Sequence, residues 1–166
     1  MEAEEVNDPQ PPEILKFPGQ WELYEEALFH IFQQTIVQGN LTFLGMPIKT
    51  RFLPSAKGKH FTFWHLITEG EEEDYRYPDF RRCERLKWIQ WMFQNYATYA
   101  GISHWPERRK GSKDYVFWYE TGKYVVVLSK RNKYFMLKTA YYADKDNKIK
   151  SLKREREEAR KQANKS

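Results

Sequence analysis

A chain of 166 residues suits one compact domain with ends to spare and is too short for two full domains. Aromatic residues make up 17% of the chain and the formal charge is +5, so the core should rest on Phe, Tyr and Trp, and a polyanionic partner is favoured. The single cysteine, Cys83, excludes an intramolecular disulfide framework and a cysteine-based metal cluster, and no stretch nears the roughly 20 apolar residues of a membrane span.

Residues 1–18 are acidic and punctuated by Pro9, Pro11, Pro12 and Pro18, which predicts a flexible arm. A single domain is expected over residues 19–143. Between Gln20 and Gln38 the residues Trp21, Tyr24, Leu28, Ile31, Phe32 and Thr35 step by three and four, the face of an amphipathic helix that Gly39-Asn40 ends. The period then changes: "LTFLGMPIKTRFL", broken by Gly45 and Pro47, reads as a hairpin or bent strand, and "HFTFWHLI" as a short strand after the turn signal "PSAKGK". From Pro78 to Tyr96 the helical pattern returns, with Asp79 as N-cap and Phe80, Cys83, Leu86, Ile89 and Phe93 as its apolar stripe.

The basic stretch "HWPERRKGSK" reads as a loop leading into three strands, "DYVFWYE", "KYVVVLSK" and "YFMLKTAYY". Val125, Val126, Val127 and Leu128 in a row mark the middle one as central and buried on both faces. Residues 144–166 form a charged tail, helical or disordered. The order of elements is α+β: an antiparallel sheet with helices packed on one face.

Two clusters carry candidate chemistry. The first lies in "KGKHFTFWHLITEG", residues 57–70. Read as a strand, it sets Phe61, Phe63, His65 and Ile67 on one face and His60, Thr62, Trp64 and Leu66 on the other, so its two histidines face apart. His65 keeps apolar company, whereas His60 stands beside Lys57 and Lys59, where a histidine can meet phosphate. The second cluster is Thr139 and Tyr141, hydroxyls at i and i+2 on the last strand, expected on the side of Phe135 and Leu137, with Lys138 and Tyr142 on the other. Both patterns also suit ordinary packing, because Thr and Tyr are good strand formers.

Phosphate-binding loops, dinucleotide fingerprints, zinc-protease and hydrolase-elbow motifs are all missing from the sequence. The histidines at 30, 60, 65 and 104 and the clustered carboxylates make no metal set, so neither metal nor cofactor is expected. What remains is an inventory of His, Lys or Arg and hydroxyls. It suits RNA cleavage by the neighbouring 2′-OH, in which a histidine moves protons while cations and hydroxyl donors stabilise the pentacovalent phosphate.

The leading helix, "KGKH", the second helix and a meander ending in "KTAYY" together resemble the barnase/EndoU/colicin D/RelE-like ribonuclease superfamily, above all its phage-associated branches, over roughly residues 20–142. The resemblance implies a RelE/barnase-like fold and an endoribonuclease, with tRNA among the substrates and an inhibitor or immunity protein as partner. Carried over to matching positions, His60 is the acid/base, Lys57 and Lys59 bind phosphate or stabilise its transition state, Thr139 donates to the scissile phosphate and Tyr141 stacks or orients. The wider superfamily also uses histidine pairs, which keeps His65 open as the active histidine.

Further RNA contacts are expected from Arg108, Arg109 and Lys110, from Lys130 and Arg131, and from Lys138. The expected activity is a metal-independent, toxin-like ribonuclease of the cytoplasm with no membrane partner. The alternative is a non-catalytic nucleic-acid- or protein-binding module of a mobile element.

Overall fold

The computed structural model describes residues 7–109 and 111–165. Helix α1, Trp21–Phe32, buries Tyr24, Leu28 and Phe32 along the predicted stripe and runs on as a π-helical turn, Gln33–Val37, that buries Ile36. It ends where expected: a Cβ on Gly39 would lie 2.1 Å from the Thr35 carbonyl oxygen, and Asn40 follows with φ +51°. Strands β1, Thr42–Phe43, and β2, Met46–Lys49, form the predicted hairpin about Leu44 and Gly45.

The next segment departs from expectation. "FTFWHLI" is helix α2, Phe61–Ile67, and not a strand. Thr62, Phe63, Leu66 and Ile67 are its buried residues, one helical face. A seven-residue apolar run satisfies either period, and packing against β8 decides for the helix. The two-residue strands β3, Thr68–Glu69, and β4, Tyr77–Pro78, then pair with each other alone.

The second predicted helix exists in two pieces, α3, Phe80–Glu84, and α4, Trp88–Asn95. Asp79 caps the first, its carboxylate accepting from the Arg81 and Arg82 amides. Cys83, Leu86, Ile89 and Phe93 are buried as predicted, while Phe80 stays exposed.

Strands β5, Ile102–Arg109, β6, Ser112–Tyr119, β7, Tyr124–Lys130, and β8, Phe135–Tyr142, complete the fold. The stretch expected as a basic loop is thus mostly strand β5. Its Pro106 is tolerated because β5 is an edge strand, bonded only to β6. The sheet runs β1-β2-β8-β7-β6-β5 and is antiparallel except for the parallel pair β2–β8. It is strongly curled: Phe43 on β1, at one edge, lies 6.1 Å from His104 on β5, at the other.

Helices cover both faces rather than one. Tyr24, Phe32, Phe43, Phe63, Phe117 and Phe135 belong to the main core under α1 to α4. Trp105, Val116, Trp118, Val125 and Val127 form a second core with Leu152 of helix α5, Asp146–Lys165. The charged tail is therefore a docked helix, and Arg156 pins it through Glu120 Oε2 at 3.1 Å and Ser103 Oγ at 3.1 Å. β7 is central and buried on both faces, as its valine run predicts.

The proline-rich segment is also docked along its described part. Trp88 Nε1 donates to the Pro12 carbonyl at 2.8 Å, the Tyr24 hydroxyl to that of Leu15 at 2.6 Å, and the Leu15 amide to that of Glu84 at 3.0 Å. Proline excludes helix and strand here, but it leaves carbonyls free to accept from the domain.

Among the described residues no helix is long and apolar enough to cross a membrane, and no group of three or more His, Cys, Asp and Glu could hold a metal ion.

Candidate phosphate-binding cleft

The first predicted cluster is tied up in packing. Lys59 is nearly buried, with Nζ 3.0 Å from Glu26 Oε1 and 3.8 Å from Glu25 Oε2, and Lys57 Nζ lies 3.6 Å from Glu25 Oε1. Glu25, itself buried, also accepts from Trp21 Nε1. His60 precedes α2 in a nest of Phe29, Phe32 and Phe52 rings, its Nδ1 3.2 Å from the Thr50 hydroxyl. These residues fasten the loop before α2 onto α1. Lys59→Ala, which strands the buried Glu25 carboxylate beside one remaining cation, is expected to cost about 3 kcal/mol in urea unfolding.

Burial holds the His60 imidazole below its ordinary value, and the same cause comes first for His65 and His104. The unfolded chain then binds more protons than the folded one, so stability falls as pH drops below about 6.5 until the lowered folded values are passed. The thermal midpoint should fall between pH 7 and 5, and His60→Phe should flatten part of that slope.

A β-bulge separates the second cluster from the first. Val127 pairs with Thr139 but Leu128 with Leu137, so Lys138 is the extra residue and the alternation reverses after it. Phe135, Leu137 and Ala140 face the main core. Thr139 and Tyr141, opposite Val127 and Val125, face the second core, with Tyr141 packed against it. The expected placement of Thr139 and Tyr141 beside Phe135 and Leu137 is thereby corrected. They lie across the sheet from the core that holds the His60 nest, so the structure does not bring His60, Lys57 and Lys59 together with Thr139 and Tyr141.

His65 is the histidine that the fold carries to the open side of β8. β2 pairs with β8 only at Phe135 and Met136, and α2 packs against β8 as well. A cleft of about 310 Å³ there is lined by Arg51, Phe61, Thr62, His65, Ser112, Ser129, Arg131, Met136, Leu137 and Lys138. Three cations, a histidine and three hydroxyls face it, and among the described residues no carboxylate is in its lining. The wall is stacked: the Arg51 guanidinium lies 4.6 Å from the Phe61 ring, and the Phe61 ring 4.2 Å from that of His65, one helical turn on.

The cations are held in place. Lys138 Nζ lies 3.0 Å from Oδ2 of Asp114, a carboxylate only 1% exposed, and Arg131 Nη1 donates to the buried Ser129 hydroxyl at 3.0 Å. Asp114, in register with Ser129 on β7, also accepts from Ser112. His65 Nε2 is 3.0 Å from Glu73 Oε2. Burial and the nearby Arg76 and Arg82 lower the His65 imidazole, against a raising contribution from Glu73. A histidine so placed is neutral at neutral pH and able to accept a proton.

Of the remaining predicted contacts, Lys130 is exposed at the end of β7, and Arg108 and Arg109 pair in register with Lys113 and Ser112 at the tip of the β5–β6 hairpin. Lys110 lies outside the described residues. Tyr141 and Tyr142 line a separate cleft with Arg81, Arg82, Lys145 and Lys148.

Sequence reasoning passed over Arg51, Asp114 and Ser129. Asp114 carried a signal, an acidic residue opening an otherwise apolar strand, while Arg51 had none beyond its charge. Cys83 offers no nucleophile: burial, then the Asp79 charge, pushes its thiol up to about 12. Comparison with family models, with curated proteins and with solved structures gave no match.

Proposed function

We propose that the protein is a metal-independent endoribonuclease whose site is the cleft between α2 and β8, with His65 as the proton-transfer group. One observation carries the reading: a histidine held neutral shares with Arg51, Arg131 and Lys138 a cleft that no carboxylate lines among the described residues, Glu73 and Asp114 lying behind His65 and Lys138. That inventory serves in-line attack on a phosphodiester. His65 takes the proton of the 2′-OH as the 2′-oxygen bonds to phosphorus. The three cations stabilise the extra negative charge, the bond to the 5′-oxygen breaks, and the Lys138 ammonium supplies the proton that oxygen needs. The products are a 2′,3′-cyclic phosphate and a 5′-hydroxyl, after which His65 and Lys138 exchange protons with water.

The test is incubation with tRNA and with unstructured RNA in EDTA, with the ends of the fragments identified. Discrete fragments ending in cyclic phosphate support the reading; a requirement for a divalent ion defeats it. Salt-sensitive binding without any cleavage would leave a non-catalytic nucleic-acid module. In the binding step each phosphate contact contributes a slope of about −0.7 in log K against log salt for single strands. The three cleft cations therefore predict about −2, and Lys138→Ala should bring the slope closer to zero by about 0.7.

A further inference from the structure

The acidic segment after α2 looks out of place beside a polyanion site, yet it is a built element. Arg76 closes it at both ends: Nε donates to the Thr68 hydroxyl at 3.0 Å, Nη2 to the Thr68 carbonyl at 2.7 Å and Nη1 to the Gly70 carbonyl at 2.8 Å. Gly70, at φ +142°, lets the chain close there, since a Cβ would lie 3.1 Å from the Tyr75 carbonyl oxygen. Within this loop a 3-10 turn, Glu73–Tyr75, brings Glu73 Oε2 to His65 Nε2. His65, with Phe61, is also the wall shared by the cation-lined cleft and a neighbouring one that contains Glu73, Asp74 and Arg76.

We propose that Glu73 is a positioning residue, its carboxylate holding the His65 ring as the Nε2–H tautomer so that Nδ1 is the nitrogen that moves the proton. An ionised carboxylate only accepts, so the ring nitrogen 3.0 Å from it must donate. A neutral imidazole has one N–H. Nδ1 is then the lone pair, and it has no hydrogen-bond partner among the described residues. Arg76 and Arg82 both disfavour protonation of the ring, with Arg82 fixed by its bonds to the His65 and Thr68 carbonyls, while Arg51, Arg131 and Lys138 line the cleft on one side of His65 and Asp74 shares the cleft on the other. Among the described residues, Glu73 is the charged neighbour that hydrogen-bonds the ring and also raises its basicity. What Nδ1 does with the proton rests on the ribonuclease reading, while the tautomer does not.

The experiment is nitrogen-15 NMR of the histidine side chains in the full chain, free of RNA, for wild type, Glu73→Gln and Glu73→Asp. Wild type should show His65 as the Nε2–H tautomer; Glu73→Gln should mix the tautomers and titrate at lower pH; Glu73→Asp should restore much of both. In RNA cleavage, Glu73→Gln should move the acidic limb of kcat/KM to lower pH and reduce the plateau several-fold, with Glu73→Asp closer to wild type. An Nδ1–H tautomer in wild type, or a tautomer and titration unchanged in Glu73→Gln, overturns the assignment. The expected NMR changes in a protein that cleaves no RNA would support the positioning and overturn the ribonuclease reading instead.

Discussion

His65→Ala is expected to lower RNA cleavage by at least about 100-fold, the lower end of what a positioned acid/base group contributes. Its fold should be retained, because the His65 side chain is partly exposed and its contacts are with Phe61 and Glu73, not with the main core. His60→Ala should show the reverse pattern. It opens the nest of Phe29, Phe32 and Phe52 and lowers the unfolding midpoint, but the protein that remains folded should cleave at close to the wild-type rate. The two variants together separate a site histidine from a packing histidine by a rate and a melting curve. Equal loss of rate in both would mean that the loop before α2 reaches the substrate, contrary to the ion pairs that hold Lys57 and Lys59 on α1.

The largest loss of stability is expected from Phe43→Ala, about 4 kcal/mol by chemical unfolding. Phe43 is 2% exposed, and its ring meets those of Phe117 at 5.0 Å, Phe135 at 5.1 Å, Tyr115 at 5.1 Å and Tyr96 at 5.6 Å. It comes from a strand of two residues, Thr42–Phe43, so backbone pairing alone holds β1 weakly. The ring holds the curled edge against β6 and β8. Its removal leaves a cavity and frees that edge, and Phe43→Leu should recover a large part of the loss.

The parts of this fold legible in the sequence are those whose pattern is local and long. Tyr24, Leu28 and Phe32 repeat at helical spacing along α1, and the run Val125, Val126, Val127 and Leu128 marks a strand buried on both faces. Legibility fails where the local pattern is short or tertiary contacts decide. "FTFWHLI" fits a period of two nearly as well as 3.6, and only the docking of Phe63, Leu66 and Ile67 selects the helix. The sheet's second helical cover was hidden because α5 buries a single side chain fully, Leu152, and adds only the partly buried Ile149 and Ala159 and polar contacts such as those of Arg156 and Lys153.

The site was half legible for the same reason. The types of side chain in the candidate cleft, histidine with cations and hydroxyls, are those that composition and the missing motifs had left. Its location was not legible. The pairing of "KGKH" with "KTAYY" assumed unbroken alternation along β8, and the bulge at Lys138 turns Thr139 and Tyr141 to the other face. The bulged Lys138 sets its ammonium on the buried Asp114 of β6, two strands away in the sheet and distant in sequence, so no local pattern announces it. Arg51 likewise joins the cleft only because α2 stands beside the open part of β8.

The central claim is that nucleic acid enters the cleft between α2 and β8 and not the pocket of His60. The most direct measurement is a titration of isotope-labelled protein with a short RNA made non-cleavable by 2′-O-methylation at each position, followed by amide and histidine side-chain NMR. Saturable, salt-sensitive shifts centred on Arg51, His65, Ser129, Arg131 and Lys138, with Lys57, Lys59 and His60 unmoved, are the predicted result. Shifts centred on Lys57, Lys59 and His60 with a silent His65 would contradict it.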